Sequence, residues 1–326
     1  MHVETQGVNA ETRYVPSAEQ YALASTIEDS LAELLPLARL HKSNEEDAAT
    51  WSGLAEIGIF GISAAEARDG SGLGATEEAL LVMALGRRLA APAVYATIGA
   101  AHLPGEAAAR RELQACVAAA YRNGGRSIVV ENAGASFVLL RDDAEATLHA
   151  TGNDPPRPVE QRLWLARLGS ADALGAPLAR CAGPGLLRLR LIDAAALAGI
   201  ADGAMELAVA YAKQREQFGR PIGSFQAIKH DCANMLTAAR CARDQVLYAA
   251  VALDEARDDA TLQVECALFV AGTAALDNAG RNIQIHGGIG FSDEADPHLF
   301  LKRARVQLAI AGGLEAANRR IADISG

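Results

Sequence analysis

Apolar residues recur at three- and four-residue steps along two long stretches of residues 194–326. This spacing places them on one face of an α-helix, and long helices joined by short turns are typical of a helical bundle. Half of all residues are hydrophobic but only 5% are aromatic, so alanine and leucine, both strong helix formers, supply most of the burial. The two stripes consist of Phe225, Ile228, Cys232, Met235, Leu236 and Ala239, and of Val264, Leu268, Ala271 and Ala275.

The middle of the chain has a different periodicity. Between Gly125 and Asp193, apolar and polar residues alternate in short runs separated by turn residues, which predicts β-strands. The sequence shows no strand–helix–strand alternation there, so a dinucleotide-binding parallel sheet is not expected. The predicted strands have the sequences RSIVVEN (126–132), ASFVLLRD (135–142), DAEATLHAT (143–151) and LLRLRLID (186–193).

The N-terminal region, from about Ala18 to Arg122, again shows a helical pattern. Together the three regions predict a mostly α fold with a small antiparallel β domain. The predicted division is an N-terminal helical domain at 1–122, a reduced middle β domain at 123–193 and a C-terminal helical bundle at 194–326.

Composition and motifs argue against several classes of function. The formal net charge is −10, and a chain with this charge and no basic block is a poor nucleic-acid binder. The five cysteines show no metal-binding spacing, and the sequence has no Glu-x-x-His pair, GxSxG or HExxH motif, so no metal site is predicted. The first 30 residues contain four glutamates and no apolar signal-peptide core, and the longest apolar runs are too short to span a membrane. A cytoplasmic protein without a membrane partner is expected.

Two segments carry more chemistry than a connection between helices needs. The first, REQFGRPIGSFQAIKH (215–230), opens with Arg215, whose guanidinium fork suits a pyrophosphate. The second, NIQIHGGIGFSDEADPHLFLKRAR (282–305), contains glycines that let a ligand approach the backbone, and Gln284 adds a two-sided amide. Together they are the parts of a dinucleotide-phosphate clasp built on helices.

These two segments resemble the two C-terminal signatures of flavin-dependent acyl-CoA dehydrogenases. The similarity is strong over 194–326 and rests on YAKQREQFGRPIGSFQAIKH (211–230) and QIHGGIGFSDEADPHLFLKRAR (284–305). It continues more weakly through residues 51–92, which are similar to the family's first domain. The order of helices, small β domain and four-helix bundle also fits this family.

The resemblance implies an FAD that lies between subunits. In this family one subunit holds the flavin ring and the acyl-CoA, and the bundle of its neighbour holds the ADP end. The alternative for Phe218 and Phe225 is that they only plug the end of the bundle. The positions of this chain that match the family's ADP contacts are Arg215, Gln217, Phe218, Ile222, Phe225, Ile228, Gln284, Gly287 and Gly288.

The resemblance also implies a carboxylate base that removes the proton alpha to the thioester carbonyl. The usual family position corresponds to Ala311, and a rarer position on the helix before the first signature is matched to Val209. Glu315 lies one helical turn beyond Ala311 and matches a residue nearer the ADP. No catalytic residue is therefore predicted. The family's stretches that hold the flavin ring are replaced by VENAGASFVLL (130–140) and RLWLARLG (162–169), and neither matches.

Three functions remain open from the sequence. The first is the shorter subunit of a heteromeric acyl-CoA dehydrogenase, of the kind that acts on steroid side chains. A longer partner, as in a heterotetramer, would then supply the base, the flavin pocket and the acyl-CoA pocket, and an electron-transfer flavoprotein-like acceptor would take the electrons. The second is a non-catalytic scaffold or regulator. The third is a self-sufficient homo-oligomeric dehydrogenase with a base that the motifs do not identify.

Overall fold

A computed structural model describes residues 15–43, 46–68, 70–104, 116–123, 126–130, 134–151, 158–163, 166–170, 172 and 174–325. Nine α-helices lie in this part of the chain: α1 Ala18–Leu34, α2 Ala48–Glu56, α3 Ala75–Arg87, α4 Pro92–Ala100, α5 Gly185–Gln214, α6 Gln226–Asp254, α7 Ala260–His286, α8 Pro297–Ile310 and α9 Leu314–Ser325. The strands are β1 Val117–Asn123, β2 Arg126–Val130, β3 Phe137–Arg141, β4 Glu145–Ala150, β5 Pro158–Leu163, β6 Ala166–Ser170, β7 Ala179–Ala182, β8 Glu216–Gln217 and β9 Arg220–Pro221.

Helix α5 is the element that joins the N-terminal helices to the bundle. It packs closely against α3 because both helices present glycine at the crossing. A Cβ at Gly199 would lie 2.0 Å from the Met83 carbonyl oxygen, and one at Gly86 would lie 2.3 Å from that of Ala196. Such close approach of two helix backbones is open only to glycine.

Helix α7 is the centre of the bundle and packs against α5, α6, α8 and α9. The sequence predicted no segment long enough to cross a membrane, but α7 with its following turn, Ala260–Phe291, reaches that length, with a mean hydropathy of 1.2 over 18 residues. Half of that window is buried inside the chain. The apolar character of α7 is therefore that of a core helix surrounded by other helices.

The large sheet has the strand order β5-β6-β2-β1-β3-β4-β7. Most neighbouring strands are antiparallel, as predicted, but β1 pairs in parallel with β3, with Ala119 opposite Leu139. The fold class is thus confirmed, with a sheet that is mixed rather than purely antiparallel. The boundaries after residues 122 and 193 stay a prediction.

The strand predicted at 186–193 is wrong, because these residues form the first turns of α5. The alternation of leucine and arginine suggested a half-buried strand. In the helix, however, the arginines also point inward, since Arg188 pairs with Glu78 at 2.7 Å and Arg190 with Glu265 at 2.7 Å. Both carboxylates are buried, so a period-two pattern arises here from buried ion pairs on a helix.

Candidate functional site

The segment after α5 folds into a small β-hairpin. Strands β8 and β9 pair Glu216 with Pro221 and Gln217 with Arg220. The turn residues Phe218 and Gly219 both have positive φ, of 53° and 77°, as in the tightest two-residue hairpins. A bulky residue rarely adopts such a backbone, so the turn holds the Phe218 side chain outward at some conformational cost.

Phe218 is 92% exposed. Its ring meets the edge of Phe225 at 6.2 Å, and the Arg220 guanidinium lies 4.2 Å from the centroid of the Phe225 ring. The alternative that both phenylalanines plug the bundle is therefore wrong for Phe218, which fills no space in its own chain. Phe225 is half-buried, so packing within the chain accounts for part of its role.

The segment after α7 forms a turn with three glycines, which we call the glycine turn. The local structure around each of these glycines is different. Gly287 has a φ of 66°, which disfavours other residues. A Cβ at Gly290 would lie 2.6 Å from the Ile283 carbonyl oxygen. A Cβ at Gly288 would meet no atom within 4 Å in the described part of the chain. Local packing thus explains Gly290 but leaves Gly288 open to a ligand or a partner chain.

The hairpin and the glycine turn lie at the same end of the bundle, and we call them together the clasp. The last turns of α5 and α7 touch there, with the Tyr211 and His286 rings stacked at 4.0 Å. Ile222 and Ile228 pack in the apolar cluster that also contains Ile285, so these two residues already have a structural role. The structure therefore brings together the two motifs that the sequence places about 70 residues apart.

Polar groups of the clasp are available to a ligand. Arg215 ends α5, is exposed, and its guanidinium makes no ion pair with the described residues. Gln284 is exposed one turn before Gly288, and its side-chain amide likewise has no hydrogen-bond partner within that part of the chain. A guanidinium, an amide and an unobstructed glycine backbone suit the pyrophosphate of FAD. The described residues of the clasp thus fit the ADP half of this cofactor.

Ala311, which matches the family's usual base position, lies at the C-terminus of α8. It borders a cavity of about 350 Å³, which we call the base-site cavity. Gly312 and Gly313 follow with φ near +90°, turning the chain into α9. The cavity is lined by Tyr121, Arg122, Arg141, Asp142, Asp143, Ala144, Leu186, Arg190, Ala309, Ile310, Ala311 and Gly312.

Val209 lies far from this cavity. The α5 residues that line the cavity are Leu186 and Arg190, and Val209 is roughly 28 Å further along the same helix at 1.5 Å per residue. It packs instead in the apolar cluster beside the clasp. Two alternative positions of one base must reach the same substrate carbon, and this distance between Ala311 and Val209 argues against Val209 as the second position.

Charged side chains around the base-site cavity are paired with one another. Arg190 donates to the Glu265 carboxylate and to the Asp143 carbonyl oxygen, and Arg320 donates to the carboxylates of both residues. Asp142 accepts the backbone N–H groups of Ala144 and Glu145. The two aspartates at the cavity thus accept hydrogen bonds from their own chain.

A second ion pair lies beside this cavity. Both terminal nitrogens of Arg141 donate to the Asp193 carboxylate, at 3.0 and 2.6 Å. Burial raises the pKa of Asp193, although Arg141 and Gln307 oppose this effect. Sequence reasoning missed this group because the two residues lie 52 positions apart, and only the LRLRLID pattern hinted at buried charge.

The ring-binding half of an FAD site lies partly outside the described residues. Residues 131–133 and 164–165, which belong to the two stretches without family resemblance, are among those outside.

Comparison with known proteins agrees with this geometry. The chain matches the acyl-CoA dehydrogenase N-terminal domain over residues 17–111 and the C-terminal domain over residues 180–325. It is 33% identical to the acyl-CoA dehydrogenase FadE34 of Mycobacterium tuberculosis over 85% of this chain and 42% of that protein. It is 32% identical to the acyl-CoA dehydrogenase IpdE2 of the same organism, over 79% of this chain and 80% of that one.

The fold is shared with solved structures. One chain of the ChsE4–ChsE5 complex of Mycobacterium tuberculosis superposes with a TM-score of 0.75 at 21% identity, over 95% of this chain and 98% of that one. The cofactor of these dehydrogenases is FAD. The chain spans less than half of FadE34 but four fifths of IpdE2. By sequence and by fold, this chain belongs to the acyl-CoA dehydrogenase family.

Proposed function

We propose that this chain is the shorter subunit of a heteromeric acyl-CoA dehydrogenase and supplies the ADP half of an FAD site. The observation that carries the proposal is the difference between the two ends of the site. At the clasp, the side chains of Arg215 and Gln284 have no partner within the described chain. No atom of the described chain would contact a Cβ at Gly288. At the base-site cavity the expected carboxylate is replaced by Ala311, and the charged groups pair with one another.

The comparisons support a partner of greater length. FadE34 is more than twice as long as the part that this chain matches, and ChsE4–ChsE5, which shares the fold, is a complex of two proteins. The partner would contribute the base, the flavin-ring pocket and the acyl-CoA pocket. The exposed apolar side chains Phe218, Ile289 and Phe291 lie on the clasp and would be covered by the partner, since exposed apolar patches often mark interfaces.

The reaction proposed for the complex is the alpha,beta-desaturation of an acyl-CoA thioester. The base of the partner would take the alpha proton, and the bound FAD would accept the beta hydride, so that an enoyl-CoA and reduced flavin result. An electron-transfer flavoprotein-like acceptor would then reoxidise the flavin. The sequence resemblance suggests a steroid side chain as the acyl group.

Within this reaction the chain binds and orients. Arg215 would donate charge-assisted hydrogen bonds to the pyrophosphate, and Gln217 and Gln284 would add amide contacts. The N–H groups near Gly287 and Gly288 are free of a shielding side chain and would approach the phosphate oxygens. Phe218 and Phe225 would pack against the cofactor or the partner surface.

The test is the flavin content of the complex, purified with the longer subunit. Arg215→Ala should weaken FAD retention about ten- to a hundredfold, because a hydrogen bond to a charged group contributes about 1.5–3 kcal/mol. Arg240→Ala is the matched control, since Arg240 is an exposed arginine on α6, roughly 20 Å from the hairpin along that helix. Equal FAD affinity in wild type and Arg215→Ala would reject the cofactor role and favour a scaffold.

A further inference from the structure

Residues 292–296 connect the glycine turn of the clasp to α8, and we call them the connecting segment. They form bends and turns rather than a helix or a strand, and their side chains are exposed or half-buried. A segment with so little buried surface moves easily unless another part of the chain holds it. Because it determines where the glycine turn ends, its position bears on the clasp.

His41 holds the connecting segment from the N-terminal region. It is the last residue of a short 3₁₀ helix, Leu37–His41, that follows α1. Its ring nitrogen Nδ1 lies 2.9 Å from the Asp293 carbonyl oxygen, and its Nε2 lies 2.7 Å from Asp296 Oδ1. These two acceptors are 252 and 255 positions from His41 in the sequence. One imidazole ring therefore joins two distant parts of the chain.

Both contacts of His41 require a hydrogen on the ring. A carbonyl oxygen accepts hydrogen bonds and cannot donate one, so Nδ1 must be the donor to Asp293. An ionised carboxylate is also an acceptor alone, so Nε2 must be the donor to Asp296. A neutral imidazole has one N–H group, whereas an imidazolium has two. The two contacts together therefore need the positively charged form of His41.

The connecting segment also supplies negative charge, since it contains Asp293, Glu294 and Asp296. A hydrogen bond from Ser292 lowers the pKa of Glu294, and the positive charge of His41 lowers it further. Nearby carboxylates favour the charged form of a histidine. The segment thus provides both the acceptors and the charge that suit an imidazolium.

The basic groups that act on this site lie at the start of α8. Burial lowers the pKa of His298, and the charges of Lys302 and His41 lower it further, although Asp293 opposes them. His298 is therefore neutral at pH 7, and Lys302 is the cation on that side. The carboxylates of the connecting segment outnumber it.

Asp296 links this contact to the glycine turn. Burial lowers the pKa of His286, the last residue of α7, and the charge of Asp296 opposes this effect. Asp296 therefore acts both on His41 and on the residue that precedes Gly287. The connecting segment is held by His41 at one end of the turn, and the stack of His286 on Tyr211 holds the other end.

We propose that protonated His41 is a positioning residue for FAD binding, because it holds the segment that follows the glycine turn. It acts through Asp293 and Asp296 rather than by contact with the cofactor. A turn that is fixed before the ligand arrives loses less conformational freedom on binding, which raises the affinity. This step rests on the proposed function, since it requires FAD at the clasp.

The FAD affinity of the complex with the longer subunit tests this role. His41→Phe keeps a flat ring but removes both N–H groups, and it should weaken FAD binding about three- to tenfold. The loss is smaller than for Arg215→Ala because His41 and Asp296 are partly open to solvent. His41→Arg keeps a cation with several donors and should bind FAD within about twofold of wild type. Lys42→Ala is the matched control, because it removes an exposed positive charge next to His41, and no change is expected for it.

The pH profile separates positioning from a general loss of stability. As the pH rises from about 5.5 to 8, histidine loses its charge, so one of the two contacts of His41 loses its hydrogen. The FAD affinity of wild type should then fall relative to that of His41→Arg, whose charge does not change in this range. Parallel profiles of wild type and His41→Arg would overturn the inference, even if His41→Phe does not fold.

The Arg215→Ala variant distinguishes a failure of this inference from a failure of the proposed function. If Arg215→Ala weakens FAD binding and His41→Phe does not, FAD binds at the clasp and the positioning role of His41 is wrong. If neither variant weakens FAD binding, both proposals are wrong. Weaker binding in both variants, with rescue by His41→Arg, is the result that we expect.

Discussion

The clasp and the base-site cavity lie at opposite ends of α5 and differ in how their side chains are paired. At the clasp, a phenylalanine is held outward on a positive-φ backbone and an arginine at the end of α5 has no ion-pair partner among the described residues. Around the cavity, Arg190 and Arg320 share Glu265, and Arg141 binds Asp193. A polar side chain without a partner in its own chain is available to a ligand or to another subunit, whereas a side chain in an ion pair is already satisfied. Under the proposed function, this difference is what assigns the ADP half of a shared site to this chain.

The largest expected effect concerns turnover. The isolated chain should desaturate acyl-CoA about two to four orders of magnitude more slowly than the complex, because Ala311 provides no general base. Ala311→Glu alone should not restore activity, since the stretches that hold the flavin ring in the family have no match in this chain. The assay is reduction of an artificial electron acceptor by purified protein. Robust turnover by the isolated chain would show that it contains a complete active site, which would contradict the proposed difference between the clasp and the base-site cavity.

The second effect concerns the stability of the cavity end. Arg141→Met should lower the free energy of unfolding by about 3–5 kcal/mol, because it leaves the buried Asp193 carboxylate without its cation. Arg180→Ala is the control, since it breaks the more exposed pair with Glu145, and it should cost less than about 1 kcal/mol. Denaturant unfolding of both variants gives the comparison. Similar losses of unfolding free energy in the two variants would show that the buried Arg141–Asp193 pair contributes no more to stability than the exposed one.

Substitutions at two glycines of the glycine turn should have different effects, one on stability and the other on FAD binding. Gly290→Ala should destabilise the chain by about 1–3 kcal/mol, since its Cβ would press against the Ile283 carbonyl oxygen. Gly288→Ala should leave stability within about 0.5 kcal/mol, yet lower the FAD content of the complex. Thermal melts and flavin absorbance measure the two properties. A destabilised Gly288→Ala, or one with full FAD retention, would contradict the role given to Gly288.

The smallest expected effect is a pH dependence of folding stability that arises from His286 at the clasp. Burial lowers the pKa of His286 below its usual value, so the unfolded chain takes up a proton more readily than the folded one. Stability should therefore fall as the pH drops below about 6.5. His286→Phe keeps a ring against Tyr211 without a titrating group and should lose less stability between pH 7.5 and 5.5. An identical pH profile for variant and wild type would exclude His286 as the cause.

The buried Glu78 on α3 should affect stability only at lower pH. Glu78 is buried, which opposes ionisation, but His102 and Arg188 prevail and its pKa is lowered. Its contribution to stability is present above the unfolded pKa of about 4.5 and is lost as the pH falls through the lower folded pKa. Glu78 therefore does not contribute to a change of stability between pH 7.5 and 5.5.

The sequence predicts the helical bundle, the small sheet and the two clasp segments because these depend on local periodicity and on short motifs. It fails where distant residues decide the structure. LRLRLID has the pattern of a strand because the carboxylates that accept its arginines, Glu78 and Glu265, lie on other helices. The large distance between Val209 and Ala311 is also not apparent from the sequence, because spacing alone does not show that α5 runs unbroken from Gly185 to Gln214. The Arg141–Asp193–Gln307 network contains a hydrogen bond between residues 114 positions apart, and no local sequence pattern predicts such a contact.

The most direct test of the central claim is a structure of the complex with the longer subunit, FAD and an acyl-CoA analogue. The account predicts that Arg215 lies within hydrogen-bond distance of the FAD pyrophosphate, with Gly288 against the cofactor. It also predicts that the acyl-CoA lies wholly in the partner's pocket and that the cavity beside Ala311 holds none. A flavin ring and an acyl thioester beside Ala311, or a pyrophosphate distant from Arg215, would contradict it.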